Sequence, residues 1–172
     1  MYDVKPCVSV EASDCSAASM VSFLGYYGTT VTLDQMRKEC NVKISGCTGL
    51  DLKRVGNAHG LDMRPFRIDD ADYLLKMDRP AIVHWKHSHW VVFCGVNDAG
   101  KVVICNPNRG RYGISKGLFK AFFSGTVLFN GEPEEIPPEE EFTDADVIET
   151  LADLDYRVCL LELGITNEEE EL

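Results

Sequence analysis

The pattern of apolar and polar positions changes character at Pro80. Upstream, the chain reads as helices. Ser13 or Asp14 can cap a helix over 15–27 that Gly28 stops. Thr32 with Gln35 three residues on has the form of a capping box opening a second helix through Cys40. A third helix spans 49–59 with Gly60 just past its end, and a short fourth spans 70–77. Downstream, β-branched and aromatic runs over 81–85, 90–96 and 101–105 are separated by turn signals, notably Asn97-Asp98-Ala99-Gly100. A helix over 115–123 and a closing strand over 126–129 complete the body. Helices first and antiparallel hairpins afterwards predict an α+β fold and exclude a doubly wound parallel sheet.

Beyond this body, residues 132–142 form a Pro- and Glu-rich linker too polar to pack. In 143–172, Val147, Leu151, Leu154, Val158 and Leu161 follow at spacings of 4, 3, 4 and 3, the seam of a heptad helix ended by Gly164. Two readings stand open: a helix laid back on the domain, or a short coiled-coil seam over 143–164 for self-association or partner docking. The expected organisation is therefore a body over 1–131, a linker over 132–142 and an acidic helix and tail over 143–172.

Charge changes the picture once it is divided along the chain. The net charge of −11 is the sum of unlike parts. Residues 132–172 hold 16 Asp and Glu against Arg157 alone, a net of −15, which leaves +4 on residues 1–131. Such a tail repels nucleic acid and anionic membrane, so a nucleic-acid function is excluded. No apolar run reaches the ~18 residues of a membrane span, and MYDVKPCVSV lacks the features of a secretory signal. Seven cysteines, odd in number and scattered, make no disulfide framework and fit a reducing, cytoplasmic interior.

That leaves a cysteine free for chemistry. Cys15 stands in the first turn of a predicted helix, where unpaired N–H groups and the dipole favour thiolate. His89 opens a predicted strand in HSHWVVFCG, and Asn106 follows the next strand in VVICNPNRG. Adjacent antiparallel strands can bring those two side chains together. A cysteine nucleophile needs a base, and the base needs an orienting acceptor on its other nitrogen, so Cys15, His89 and Asn106 are the candidate catalytic set.

The segments SVEASDCSAASMVSFLGYYGTTVTLDQMRKEC, Gly49-Leu50-Asp51, His59-Gly60-Leu61, RPAIVHWKHSHWVVFCG and VVICNPNRGRYGIS resemble the bacteriocin-processing cysteine peptidases. These are the double-glycine leader peptidases usually found as N-terminal domains of peptide-exporting ABC transporters. The resemblance runs from Val4 to Phe129. It implies a papain-like fold, cleavage after a Gly-Gly pair, a Cys–His–Asp triad, and a glutamine that donates to the oxyanion six residues before the cysteine. Carried onto this chain, the nucleophile falls on Cys15 and the base on His89. The aspartate position holds Asn106, which keeps a carbonyl oxygen for the imidazole but lacks the charge that stabilises imidazolium. The glutamine position holds Ser9, and the glycine after the nucleophile is Ser16. Loss of one oxyanion donor costs about 10²–10³ in rate, so the expected activity is weak or narrow.

Tyr27 and Trp90 are candidates for an aromatic substrate wall, although aromatics in such runs are more often core. His84, His87 and His89 are closely spaced, and in an extended segment His87 and His89 share a face. No thiolate or carboxylate at ligand spacing accompanies them, so neither metal nor cofactor is expected. Arg109 and Arg111, in a Gly-bounded loop, are read as solvated. The linker and acidic tail do not resemble the start of a membrane domain, which favours a free-standing protein acting on a peptide or protein substrate. The competing expectation is a catalytically silent, peptidase-like binding or structural module, phage-encoded in one version, that assembles through its acidic helix.

Overall fold

A computed structural model of the chain describes residues 1–44 and 46–132. The expected linker beyond Glu132 and the acidic helix of 143–172 lie outside the described residues. Four helices and one strand precede Pro80: α1 (Cys15–Tyr26), α2 (Leu33–Glu39), α3 (Gly49–Ala58), β1 (Met63–Arg67) and α4 (Asp72–Lys76). Then follow β2 (Ala81–Trp85), β3 (His89–Val96), β4 (Val102–Asn106), β5 (Gly110–Ile114), α5 (Lys116–Phe122) and β6 (Phe123–Asn130).

The helix ends obey local chemistry. Thr32 Oγ1 accepts from the Gln35 N–H at 3.2 Å and caps α2. Thr48 and Asp51 exchange hydrogen bonds across the first turn of α3, each at 3.1 Å, as a capping box. Just past the C-terminal ends of α1 and α3 the chain needs left-handed backbone, and glycine supplies it at Gly28 and Gly60, with φ of 88° and 85°.

The six strands form one antiparallel sheet in the order β1-β6-β2-β3-β4-β5. β2 and β4 are buried along their whole length, because both faces of the sheet are covered. One face packs Ile82, Val92, Cys94 and Leu128 against Met20, Phe23 and Leu24 of α1 and Leu52 and Val55 of α3. The other packs Val83, Phe93, Ile104, Val127 and Phe129 against Leu74 of α4 and Phe119 of α5. Cys94 and Cys105 lie buried against each other with sulfurs 3.6 Å apart, small apolar groups in the first of these layers.

Two strands escaped the sequence pattern, and both are edges. β1 reads MRPFR and tolerates Pro65 because an edge has a side with no ladder to complete. β5 reads GRYGI, so Arg111 belongs to a strand and not to a solvated loop. Its guanidinium donates to the carbonyls of Tyr2 and Val4 at 2.8 and 3.1 Å, which straps the N-terminal segment to the sheet. The expected extended segment through His87 is also corrected. Lys86 and His87 have φ of 53° and 58°, so His87 turns the β2–β3 hairpin and does not share a strand face with His89.

Two expectations follow from packing and burial. Alanine at position 56 gains about 1 kcal/mol in helix propensity, but its Cβ would stand 2.3 Å from Met63 Cγ. Overpacking of that kind costs about 1–3 kcal/mol, so Gly56→Ala lowers the Tm in thermal unfolding. His84 is buried with its ring 4.7 Å from that of Trp90. Burial first, and then His87 and His89, push its pKa down to about 4. Between that value and the ~6.5 of an unfolded imidazole the unfolded chain binds the extra proton, so stability falls as pH drops from 6.5 to 4. The loss is on the order of 3 kcal/mol. Urea unfolding across this range shows it, and His84→Phe flattens the profile.

Candidate active site

The chain enters α1 through a 3-10 turn, Ala12–Asp14. Asp14 does not cap the helix with its side chain. Its carboxylate turns back to accept from the N–H groups of Val10 and Glu11 at 3.1 and 2.8 Å, and it pairs with the Arg37 guanidinium, with Nε at 2.7 Å from Oδ1 and Nη2 on Oδ2. Arg37 holds this carboxyl below the usual carboxylate range despite its burial. A buried charge is tolerable only when paired and hydrogen-bonded, and this one thereby ties the segment before Cys15 to α2.

Cys15 is the first residue of α1 and is 6% exposed. Ser19, one turn on, donates to the Trp90 carbonyl at 2.9 Å and seats the helix on the start of β3. Burial pushes the Cys15 thiol above its ordinary pKa; the N–H groups of Trp90 and Ser16 pull it down, and Cys47 and Asp14 push it up. Burial therefore outweighs the helix terminus, and the resting sulfur is a thiol where the sequence suggested a thiolate. The Cys47 N–H donates to Ser16 Oγ at 3.3 Å, which places the loop before α3 beside the nucleophile candidate.

His89 begins β3, one residue before the backbone group that meets Cys15. Its Nε2 lies 3.0 Å from Asn106 Oδ1, at the end of neighbouring β4. The Asn108 N–H donates to the same oxygen at 2.9 Å, and Asn106 Nδ2 donates to the Tyr112 hydroxyl at 3.1 Å. A backbone N–H can only donate, so it identifies Oδ1 as the oxygen, and Nε2 of His89 must then carry the proton. Burial lowers the His89 pKa, the bond to Asn106 raises it and Lys86 lowers it, with a net shift downward.

The structure thus joins His89 to Asn106 directly and sets Cys15 beside the backbone of Trp90, the residue after His89. The other candidates fare differently. Ser9 lies by the same turn, but its hydroxyl faces the Pro107 carbonyl at 3.2 Å and Asn108 Oδ1 at 3.0 Å. Its one proton is directed to that turn. Trp90 is at the site but as a buried wall, its ring so close to α3 that a Cβ on Gly49 would lie 3.3 Å away. Tyr27 is not brought to it. The tyrosine follows the last residue of α1, about 18 Å along the helix from Cys15, and packs on Phe23 and Tyr26. Among the described residues no group of three His, Cys, Asp or Glu is placed to hold a metal, and no helix is long and apolar enough to cross a membrane. Sequence reasoning missed Tyr112, whose only signal is its position on an edge strand that the pattern did not reveal.

Known proteins resemble this chain in sequence and in fold. The chain is 27% identical over 132 residues to the colicin V secretion/processing ATP-binding protein CvaB of Escherichia coli, covering 77% of this chain and 18% of that protein. It is 28% identical over 141 residues to a lactococcin transport/processing ATP-binding protein, LcnC-like, of Lactococcus lactis, covering 78% and 20%. The chain thus spans about a fifth of the length of these curated relatives. Among solved structures, a double glycine motif protease from an AMS/PCAT transporter in complex with the leader peptide superposes with a TM-score of 0.70 at 30% identity, over 74% of this chain and 90% of that one. The peptidase domain of Streptococcus ComA shares the fold with a TM-score of 0.66 at 21% identity, over 73% and 96%. The fold is papain-like. The model of the peptidase C39 family matches residues 3–135, which take in every strand of the sheet together with Cys15, His89 and Asn106, and the chain belongs to that family of cysteine peptidases.

Proposed function

We propose that this chain is an endopeptidase that cleaves a peptide after a small residue, at a Gly-Gly leader site, with Cys15 as nucleophile, His89 as base and Asn106 as the group that orients the base. The observation that carries the assignment is the 3.0 Å bond between His89 Nε2 and Asn106 Oδ1. With Nε2 protonated, Nδ1 keeps the lone pair that takes the Cys15 proton as sulfur attacks the scissile carbonyl. His89 then delivers that proton to the leaving amine, and water hydrolyses the resulting thioester. The oxyanion is met by the backbone N–H of Cys15, because the Ser9 hydroxyl is directed elsewhere. A leader peptide occupies the solved relative, which supports this substrate class. The free thiols of the described residues suit a reducing, cytoplasmic setting.

A thiol and a neutral imidazole make a resting pair that becomes charged only as reaction proceeds. Asn106 offers no negative charge to the imidazolium, in keeping with a His89 pKa below the ordinary imidazole range. Activity requires His89 unprotonated, so it falls as pH drops through that lowered value, and the acid limb of kcat/KM for a Gly-Gly peptide lies below pH 6.5. Cys15→Ser abolishes cleavage, and His89→Ala lowers kcat by about 10³-fold or more. An undiminished rate in either variant, read by mass spectrometry of the products, overturns the assignment of these residues, and no cleavage by the unmodified chain leaves a peptidase-like binding module.

Ser9→Gln is expected to restore a longer donor at the oxyanion position and raise kcat by about 10–10²-fold with little change in KM. An unchanged kcat on the same peptide means that the position does not reach the oxyanion.

A further inference from the structure

An amide side chain differs from a carboxylate in one respect that matters here: only one of its ends accepts. At position 106 the accepting end is committed, since Oδ1 receives both the Asn108 N–H at 2.9 Å and His89 Nε2 at 3.0 Å. The donating end then points away from both, and Asn106 is only 7% exposed. Left without an acceptor there, a buried NH2 either stays unsatisfied or rotates to find one, and rotation removes Oδ1 from His89. Tyr112 stands where that acceptor is needed. Asn106 pairs with Gly110 across β4 and β5, and Tyr112 pairs with Ile104, so the side chains at 104, 106 and 112 share one sheet face. The Tyr112 ring packs on the apolar layer of that face, and its hydroxyl receives Asn106 Nδ2 at 3.1 Å.

We propose that Tyr112 is a positioning residue for the site: its hydroxyl accepts the Asn106 amide N–H and so keeps Oδ1 on His89 Nε2. This rests on the triad assignment above and adds the reason an asparagine can serve in it. The amide that donates to Tyr112 is also polarised, which strengthens its oxygen as an acceptor from the imidazole. A carboxylate at 106 would present an oxygen to His89 whichever way it turned, so only the amide depends on an acceptor at its far end to fix which atom faces the imidazole.

The test reads His89 by 15N NMR in the resting chain of 172 residues, where no turnover is needed. In the unmodified chain the two ring nitrogens are expected at the well-separated positions of a single Nε2–H tautomer, and the Asn106 side-chain NH2 as an exchange-protected pair of signals. Tyr112→Phe is expected to move the ring nitrogens towards averaged positions and to lower the His89 pKa. With a Gly-Gly peptide, it lowers kcat about 10- to 100-fold with KM unchanged. In the Asn106→Asp background the same substitution is expected to change kcat less than twofold. An unchanged His89 tautomer and titration in Tyr112→Phe overturns the proposal, as does an equal kcat loss in both backgrounds. Should Tyr112→Phe not fold, rapid exchange of the Asn106 NH2 in the unmodified chain overturns it, and protection supports it. Absent cleavage by the unmodified chain would sink the peptidase reading while leaving the NMR result to decide the role of Tyr112.

Discussion

A helix terminus carries backbone N–H groups that its own turns cannot satisfy, and here the first turn of α1 is pressed against the first residues of β3. Ser19 bonds the Trp90 carbonyl, the Trp90 backbone lowers the pKa of the neighbouring Cys15 thiol against the effect of burial, and the Trp90 ring fills the space beneath Gly49 of α3. One residue of the strand thus holds the helix that begins at Cys15 and supports the neighbouring helix. Its predecessor, His89, is placed by the same contact. Ser19 fixes the position of α1 on the sheet, and with it the place of Cys15 beside the start of β3.

Burial then sets the charge state. Cys15, His84 and His89 are each taken far enough from water that their uncharged forms are favoured. The charge on Asp14, near the sulfur, is paired with Arg37 and accepts from two backbone N–H groups. A site arranged in this way stores no thiolate at rest. The asparagine at 106 offers the imidazole an uncharged acceptor, and burial favours the neutral ring.

The turn after β4 is a second point of convergence. Ser9 N–H and Oγ bond to the Pro107 carbonyl, Asn108 closes on Asn106 Oδ1, and Arg111 straps Tyr2 and Val4 to β5. The N-terminal segment is therefore fastened to the strands that carry Asn106 and Tyr112. Ser9 has a positional role that its hydroxyl performs through this turn, whatever it contributes to an oxyanion.

Local signals were enough for α1, α2 and α3, whose caps at Thr32 and Thr48 and stops at Gly28 and Gly60 depend on residues within a turn of one another. The buried strands β2, β3 and β4 were legible as well, since a strand covered on both faces is apolar throughout. β1 and β5 were not, because an edge strand owes its conformation to one neighbour and MRPFR and GRYGI have little apolar pattern of their own. His87 was misjudged for a related reason: two non-glycine residues in left-handed backbone are imposed by closure of the hairpin. At the site, residue type and order alone pointed to Cys15, His89 and Asn106, as chemistry requires a thiol, a base and an acceptor. Protonation state, the remoteness of Tyr27, the engagement of Ser9 and the partnership of Asn106 with Tyr112 were decided by tertiary structure, because each depends on water being excluded or on side chains far apart in the chain meeting on one face of a sheet.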